Sequence, residues 1–354
     1  MQTTSQSEMS IPRRVLIVGA GLTGSVTASL LRRKFQNIDL TVWEKSRGAG
    51  GRMTTSRCPD DPKCTADTGA QYISATPSYF KVHESFYQEL LSSNVLKPFT
   101  GLIEGEKNQD GVKHFIAPAG TSSIVKHFLK QSGANVHYQT QCNEVNMKDN
   151  PSQWEAIDLK GNSELFDSII ITIPVPQLFN FKGSIQSHIK EDKERLEAVN
   201  YSSRYALGLF YAQGTDISLP WTAKYVTGNP CIRFVSVDSR KRGQDEDNIG
   251  PSIVLHTSVP FGIEHLESEP KQVEEIILKH AYELLPTLPK PTNIKFQKWR
   301  YSQVSTPMPG APGCLVLHHS PLALAGGDAF VHSNFDGCIE SALSIVDKFT
   351  NSKI

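Results

Sequence analysis

Apolar positions along this chain fall into three patterns, and each predicts a different kind of element. Near the N-terminus they form short solid runs. Val15-Leu16-Ile17-Val18 is β-rich and stops abruptly at Gly19, as a strand buried on both faces would. Ser25 to Lys34 then predicts a helix, and "DLTVWEK" predicts a second strand ending at Glu44. Helical spacing comes next. "SYFKVHESFYQELLSSNV" places Phe80, Phe86, Leu90 and Leu91 on one helix face, and "FIAPAGTSSIVKHFLKQSGANVHYQT" predicts a Thr/Ser-started helix closed by Gly133, followed by a strand. "FDSIIITIPVP" predicts a buried strand stopped by Pro174 and Pro176. From about residue 181 to 312 the pattern becomes short β-like runs: "YALGLFYA", "KYVTG", "CIRFVSVD" and "SIVLHTSVPF". A helix, "EPKQVEEIILKHAYELL", then precedes "KFQKWRYS". The C-terminal "PLALAGGDAFVHSNFDGCIESALSIVDKF" predicts a strand, a tight glycine turn, a loop and a helix.

The first apolar stretch invites two other readings. Val15 to Leu31 is uncharged, but its 17 residues fall short of the roughly 20 needed to span a bilayer, and it is interrupted by Gly19, Gly21 and Gly24. A signal peptide would end in small residues, whereas this run ends in Arg32-Arg33-Lys34. A retained strand, turn and helix fits better. The three glycines have the G-x-G-x-x-G spacing, which serves a tight turn, backbone approach to a pyrophosphate and close helix-on-strand packing. The helix N-terminus offers N–H groups to phosphate. Glu44 stands twenty residues beyond Gly24, where an acid can accept both ribose hydroxyls; a solvated strand end is the alternative.

The residues that follow favour FAD over a nicotinamide nucleotide as the resident dinucleotide. "GAGGRMTT" sets Gly50 and Gly51 before Arg52, a flexible backbone followed by a guanidinium able to grip a pyrophosphate. "ADTGAQYI" brings Asp67, Gly69, Gln71 and Tyr72. The chain then makes a long excursion instead of continuing in βα repeats, and returns at its end. There Asp328, after Gly326-Gly327, can bond ribityl hydroxyls or phosphate, and the helix starting near Phe335 to Gly337 can face a flavin O2. In "CNEVNMKD", the backbone at Val145 is placed to meet adenine.

Composition narrows the class without naming a chemistry. The chain has 354 residues, enough for one large or two medium domains. Lys plus Arg (36) balances Asp plus Glu (36), so there is no basic field for nucleic acid or an anionic membrane. Six cysteines are too few for a disulfide scaffold of this length. Cys58 and Cys64, in "CPDDPKC", fit either a loop-closing disulfide or two free thiols, with free thiols favoured. No zinc-like spacing is present, and no metal is expected. "SRKRGQDEDNIG", residues 239 to 250, is expected to be an exposed loop rather than part of a site.

Taken together, these residues resemble the amine-oxidase branch of FAD-dependent flavoproteins. The likeness is carried in order by "VLIVGAGLTGS", "GGRMTT", "CTADTGAQYI", "SSRYALGLFY", "NPCIRFVS", "HTSVPFG", "KWRYSQV" and "SNFDGCIESAL", over nearly the full length. It implies a two-domain α/β flavoprotein. A Rossmann-type FAD domain of the p-hydroxybenzoate hydroxylase or amine-oxidase kind is expected from residues 11–77, 113–180 and 313–354. A mixed or antiparallel β-sheet substrate domain with helices is expected from 78–112 and 181–312, and residues 1–10 are expected to be a disordered leader. The implied FAD contacts are Gly19, Gly21, Thr23, Gly24, Glu44, Gly51, Arg52, Gln71, Tyr72, Val145, Gly327, Asp328, Phe335, Asp336 and Gly337.

Within that branch the ordered run lies nearest a subgroup that oxidises misreduced nicotinamides. The resemblance therefore implies hydride transfer from 2- and 6-dihydro isomers of NAD(P)H to flavin N5, with O2 reduced to H2O2. Such chemistry needs no strong acid or base, and no Ser-His-Asp or paired-carboxylate pattern is recognisable. Four substrate-site candidates follow: Tyr72 as a wall or a structural tyrosine, His256 as a carboxamide partner or a core histidine, and Arg233 and Arg300 as phosphate ligands or ordinary ion-pair members. Amine oxidation is the rival activity. Against it, no cysteine occupies the Ser-Gly-Gly-Cys-Tyr setting of covalent flavin attachment, so FAD is expected to be non-covalent. "SPLALA" before Gly326 also carries no aromatic pair to cage an amine. A secreted signalling protein with vestigial catalysis is the rival of another class. Cysteine usage and the lack of a standard export signal favour the cytoplasm, and the resemblance leaves secretion without a cleavable signal open. The expected partners are the dinucleotide substrate and O2, with no nucleic acid, no membrane, and a monomeric chain.

Overall fold

A computed structural model describes residues 14–35, 37–107, 109–150, 152–244 and 248–352. The expected leader, residues 1–10, lies outside them. The chain divides into two compact units. One comprises Met1–Ala49, Phe128–Val199 and Thr306–Ile354, the other Gly50–His127 and Asn200–Ser305.

The first unit is built on a six-stranded sheet in the order Cys314–His319, Leu322–Gly326, Ser168–Ile171, Arg14–Val18, Asp39–Glu44, Asn135–Tyr138. All neighbours are parallel except the first pair. Ile17 sits between Ile170 and Val42, and all three are fully buried. Parallel strands covered on both faces explain why these segments read as solid apolar runs. The helices Leu22–Lys34 and Phe335–Asn351 pack against each other. They bury Val26, Leu31, Ile339 and Ile345, and the rings of Phe35 and Phe349 meet at 5.7 Å. The first helix begins at Leu22, three residues before the sequence pattern suggests, because Gly21 leaves the strand in extended backbone and serves directly as its N-cap. A three-stranded antiparallel sheet, Cys142–Asp149, Ser152–Asp158 and Ser163–Phe166, completes this unit. Its Trp154 is fully buried, and the indole N–H donates to the Pro321 and Leu322 carbonyls, each at 3.1 Å.

The second unit carries a six-stranded sheet in the order Asn293–Thr306, Asn200–Phe210, Ser252–Thr257, Ile232–Val237, Ala223–Tyr225, Ile103–Glu104. From Asn200–Phe210 to Ala223–Tyr225 the pairs are antiparallel, and Ile103–Glu104 adds in parallel. One face packs Leu207, Leu209, Val235 and Leu255 against Val273, Ile277 and Ala281 of the helix Pro270–Leu284. A small sheet of Ile73–Ala75, Lys113–Ile116 and Lys97–Pro98 flanks the motif that carries Tyr72.

Two expectations are corrected in this unit. The single helix read from "SYFKVHESFYQELLSSNV" is two, Pro77–Val82 and Glu84–Ser92. His83, almost wholly buried at the junction, leaves helical backbone with φ −106° and ψ 23° and redirects the chain. The charged stretch from residue 239, expected to be exposed, is buried at its start. A short helix, Asp238–Lys241, follows the strand Ile232–Val237, and Asp238, Ser239, Lys241 and Arg242 are all inside. They can be buried because their charges are paired: Lys241 Nζ lies 2.6 Å from Asp238 Oδ1, and Arg242 Nε donates to Asp238 Oδ2 at 2.8 Å. Residues 245–247 of that stretch lie outside the described residues.

Among the described residues no helix is long and apolar enough to cross a membrane, and no group of three or more His, Cys, Asp or Glu side chains is placed to hold a metal. The six cysteines are free thiols. The Cys64 thiol donates to the Gly250 carbonyl at 3.0 Å, and burial, then the neighbouring Cys58, push its pKa up to about 12.

Candidate active site

In the first unit the glycine motif forms a cradle at the C-terminal end of Arg14–Val18. Gly19 takes φ +107°, a value that L side chains rarely adopt, and donates its N–H to the Trp43 carbonyl at 2.8 Å. Gly24 is glycine for packing. A Cβ there would overlap the Gly19 carbonyl oxygen and sit 2.7 Å from Thr172 Oγ1. Gly21 is different, because a Cβ there would meet nothing within 4 Å. The turn thus leaves open space in front of a 13-residue helix whose N-terminus has no side-chain cap. Uncapped N–H groups beside open space suit the pyrophosphate of a dinucleotide. Thr23, in the first turn, is buried. Glu44 lies at the end of the next strand. Its Oε2 accepts the Ala20 N–H at 2.9 Å and its Oε1 accepts the Ser46 N–H at 2.7 Å. The carboxylate therefore ties the glycine turn to the second strand while retaining lone pairs for ribose hydroxyls.

Later cofactor candidates of this unit sit in three places. Val145 is fully buried on Cys142–Asp149, and its N–H is committed to the Lys182 carbonyl at 3.0 Å. Gly327 donates its N–H to Ser341 Oγ at 2.8 Å, and Asp328 Oδ2 accepts from Ser333 Oγ at 2.6 Å. At the start of Phe335–Asn351, Asn334 Oδ1 caps the Gly337 N–H at 2.7 Å, with Phe335 and Asp336 buried in the same turn. A Cβ at Gly337 would overlap the His332 ring and carbonyl, so packing alone accounts for this glycine.

In the second unit the glycine-rich segment is a backbone scaffold. Gly51 takes φ +55°, and the Arg52 carbonyl accepts the Ala70 N–H at 2.8 Å; a Cβ at Gly69 would overlap that carbonyl. Asp67 is deeply buried. Its Oδ1 accepts from Thr55 Oγ1 at 2.7 Å and from the Thr121 N–H at 2.9 Å, and its own N–H donates to Asp238 Oδ2 at 3.1 Å. Burial, then the charge of Asp238, push the Asp67 carboxyl up, while Arg242 and Lys241 hold Asp238 down in spite of its burial. Two further side chains of the motif extend from this charged core. Gln71 bonds Ser236, Lys241 and His256, and Tyr72 joins an aromatic wall.

That wall is formed by residues far apart in the chain. The Tyr72 hydroxyl lies 2.6 Å from the Tyr225 hydroxyl, and its ring packs against Phe99, His114 and Phe234. Burial, then the bond to Tyr225, push the Tyr72 phenol up. Phe234 reaches the His256 ring at 6.0 Å, and Trp299 donates its indole N–H to the Thr68 carbonyl at 2.8 Å. His256 lies on Ser252–Thr257, in register with Ala206 and Phe234 on the flanking strands. Burial, then the positive charges of Arg204 and Lys241, hold its pKa down to about 3, so the ring is neutral at ordinary pH. Arg233 is exposed beside Tyr225, 5.9 Å from that ring, and donates to the Val226 carbonyl at 2.8 Å. The fold thus brings Tyr72, His256 and Arg233 into one neighbourhood. Arg300 instead forms an exposed ion pair with Glu267 at 2.7 Å, the alternative its sequence context left open.

Tyr225, Phe234, Ser236 and Lys241 were not singled out by sequence reasoning. One signal was available for Lys241: Asp238, Lys241 and Arg242 have i, i+3, i+4 spacing immediately after an apolar strand, where a one-turn helix brings the charges together.

Residues 17–90 match the family model of the NAD(P)-binding Rossmann-like domain. A crystal structure from Exiguobacterium sp. 255-15, described as a candidate protoporphyrinogen oxidase, superposes with a TM-score of 0.71 at 11% identity, covering 95% of this chain and 98% of that one. A Pyrococcus furiosus protein superposes with a TM-score of 0.61 at 13% identity, covering 95% and 97%. Fold and glycine cradle together define the class, a mixed α/β protein built around a Rossmann-like dinucleotide-binding domain. The chain is also 46% identical to renalase of Mus musculus over 335 residues, 94% of this chain and 97% of that protein. It belongs to the renalase family.

Proposed function

We propose that the protein is an oxidase with non-covalent FAD that converts 2- and 6-dihydro isomers of NAD(P)H to NAD(P)+. The substrate ring gives up a hydride, and O2, with that hydrogen and one solvent proton, leaves as H2O2. The observation that carries this reading is the 46% identity to renalase across 94% of the chain. Bound FAD supplies the hydride acceptor and the centre at which O2 is reduced.

The chain's own residues have modest duties in this scheme. Gly19, Gly21, Thr23 and Gly24 present the uncapped helix start to the pyrophosphate, and Glu44 accepts ribose hydroxyls. Gly327, Asp328, Phe335, Asp336 and Gly337 contribute from the C-terminal turn, and Val145 contributes from its strand. Gly51, Arg52 and Gln71 are the contacts assigned to the second unit. Residues 11–77, 113–180 and 313–354 would serve FAD, although 50–77 and 113–127 pack within the second unit. Tyr72 and its aromatic neighbours offer flat surface to a pyridine ring and exclude water. Loss of hydride restores pyridinium aromaticity and moves no proton, so a neutral His256 that orients the ring suits the reaction better than a charged base would. Arg233, exposed on its strand, is the residue assigned to substrate phosphate; Arg300 is assigned the same duty at the cost of its pair with Glu267.

Anaerobic mixing of the yellow protein with α-NADH, 6-dihydro-NAD and a simple amine tests the reading. The 6-dihydro isomer is expected to bleach the flavin, the amine to leave it oxidised, and air to restore the colour with release of peroxide. Bleaching by the amine, or by none of the three, would overturn it.

A further inference from the structure

Gln71 has one orientation only, and three independent partners set it. Its Oε1 lies 3.1 Å from Lys241 Nζ and 2.9 Å from Ser236 Oγ. An ammonium has donors and no acceptor, so the atom facing it must be the amide oxygen. The opposite atom faces the carbonyls of Asp67 and Gly69, the latter at 3.0 Å, which are acceptors only. That atom must be the NH2; its two hydrogens are shared among these carbonyls and His256 Nε2, 3.3 Å away, and since an amide nitrogen accepts nothing, Nε2 has only a donor to meet. The usual ambiguity of an amide flip is removed by the chemistry of the neighbours.

We infer that Lys241 and Gln71 are positioning residues that lock His256 as the neutral Nδ1–H tautomer, so that the ring presents a hydrogen-bond donor, not a base, to a ligand oxygen. A histidine nitrogen that faces an N–H must accept, and in a neutral imidazole the proton then resides on the other nitrogen. Protonation would set two donors against each other, the same direction in which burial and the charges of Arg204 and Lys241 drive the ring; Asp238 is the one opposing charge. The half-buried ring has no hydrogen-bond partner for Nδ1 among the described residues, which leaves that N–H to a ligand. Lys241 is held for this task. Its side chain is fully buried, 2.6 Å from Asp238 and 3.8 Å from Asp67, and Arg242 secures Asp238 from the other side. The buried charge cluster thereby acts at a distance on the proton of a ring it does not touch. On the dihydronicotinamide reading, on which only this last assignment rests, the oxygen recognised at Nδ1 is that of the carboxamide.

The test is histidine-labelled holoenzyme observed by nitrogen and carbon NMR, with the His256 signals assigned by their loss in His256→Gln. The expected result is an Nδ1–H ring that does not titrate between about pH 5 and 8, the span over which free histidine changes charge. Gln71→Leu and Lys241→Met should each shift the ring toward Nε2–H, whereas Lys241→Arg, which keeps the donor, should retain Nδ1–H. In turnover, Lys241→Met should raise KM roughly tenfold and Lys241→Arg by less than about twofold, a split by retained donor that a merely structural role would not give. An Nε2–H ring in the wild type, or an unchanged tautomer in Gln71→Leu, overturns the inference. An Nδ1–H ring in a protein inert toward every dihydronicotinamide overturns the proposed substrate and leaves the tautomer lock standing.

Discussion

At the scale of single residues, two glycines three positions apart do different work, and the difference can be measured. Gly24 has no room for a side chain, since its neighbours are the Gly19 carbonyl and Thr172. Gly21 has room and an ordinary φ of −86°. Gly24→Val is therefore expected to destabilise the fold by about 3 kcal/mol or more, the upper range for forcing volume into a packed site. Gly21→Val should leave the unfolding free energy of the apoprotein within about 0.5 kcal/mol and yet abolish FAD retention. Denaturant melts of the two apoproteins, and flavin-band absorbance after each is reconstituted with FAD, separate these outcomes; a yellow Gly21→Val protein would remove Gly21 from the pyrophosphate cradle. The G-x-G-x-x-G spacing made the motif legible in sequence. Which glycine is confined by packing and which faces open space required the positions of the Gly19 carbonyl and of Thr172, the latter 148 residues beyond Gly24.

At the scale of elements, the one-turn helix Asp238–Lys241 carries more of the site than its length suggests. Its acid takes two cations from its own chain, Lys241 and Arg242, and the backbone N–H of Asp67 from the glycine-rich segment. Burial removes water as an alternative partner, so deleting the acid leaves two cations uncompensated. Asp238→Ala should cost about 3–5 kcal/mol by urea unfolding, as breaking buried pairs does, whereas Glu267→Ala, which breaks the exposed pair with Arg300, should cost under about 1 kcal/mol. Equal effects would show that the cluster contributes nothing special. The strands on either side were legible as β-like runs because their apolar period is local. The cluster read as an exposed loop because charge composition reports solvation only until a partner appears. The break at His83 escaped notice for a similar reason: a helical period continues through a buried kink.

At the scale of the whole molecule, the neutral His256 links stability to pH. Its folded pKa, about 3, lies below the ordinary value of 6.5 for the unfolded chain. Between those values the unfolded chain binds a proton that the folded protein refuses, so this group's contribution is complete above pH 6.5 and is lost progressively as pH falls toward 3. Asp238, held down, adds loss at the acid end, while Asp67, pushed up, works in the opposite sense. Relative to His256→Asn, the wild type should lose up to about 1.4 kcal/mol more per pH unit on acidification from pH 6.5, measured by chemical unfolding at a series of pH values. Parallel pH profiles would contradict a buried neutral ring. By itself the sequence determined the dinucleotide cradle, the strand and helix order around it and the family, because glycine spacing, apolar runs and ordered identity are properties of neighbours along the chain. Tertiary structure alone decided that Tyr72 faces Tyr225, that Arg300 belongs to Glu267, and that Lys241 reaches His256 through Gln71. Those partners lie tens to hundreds of residues apart, and only the folded unit brings their polar atoms within hydrogen-bonding distance.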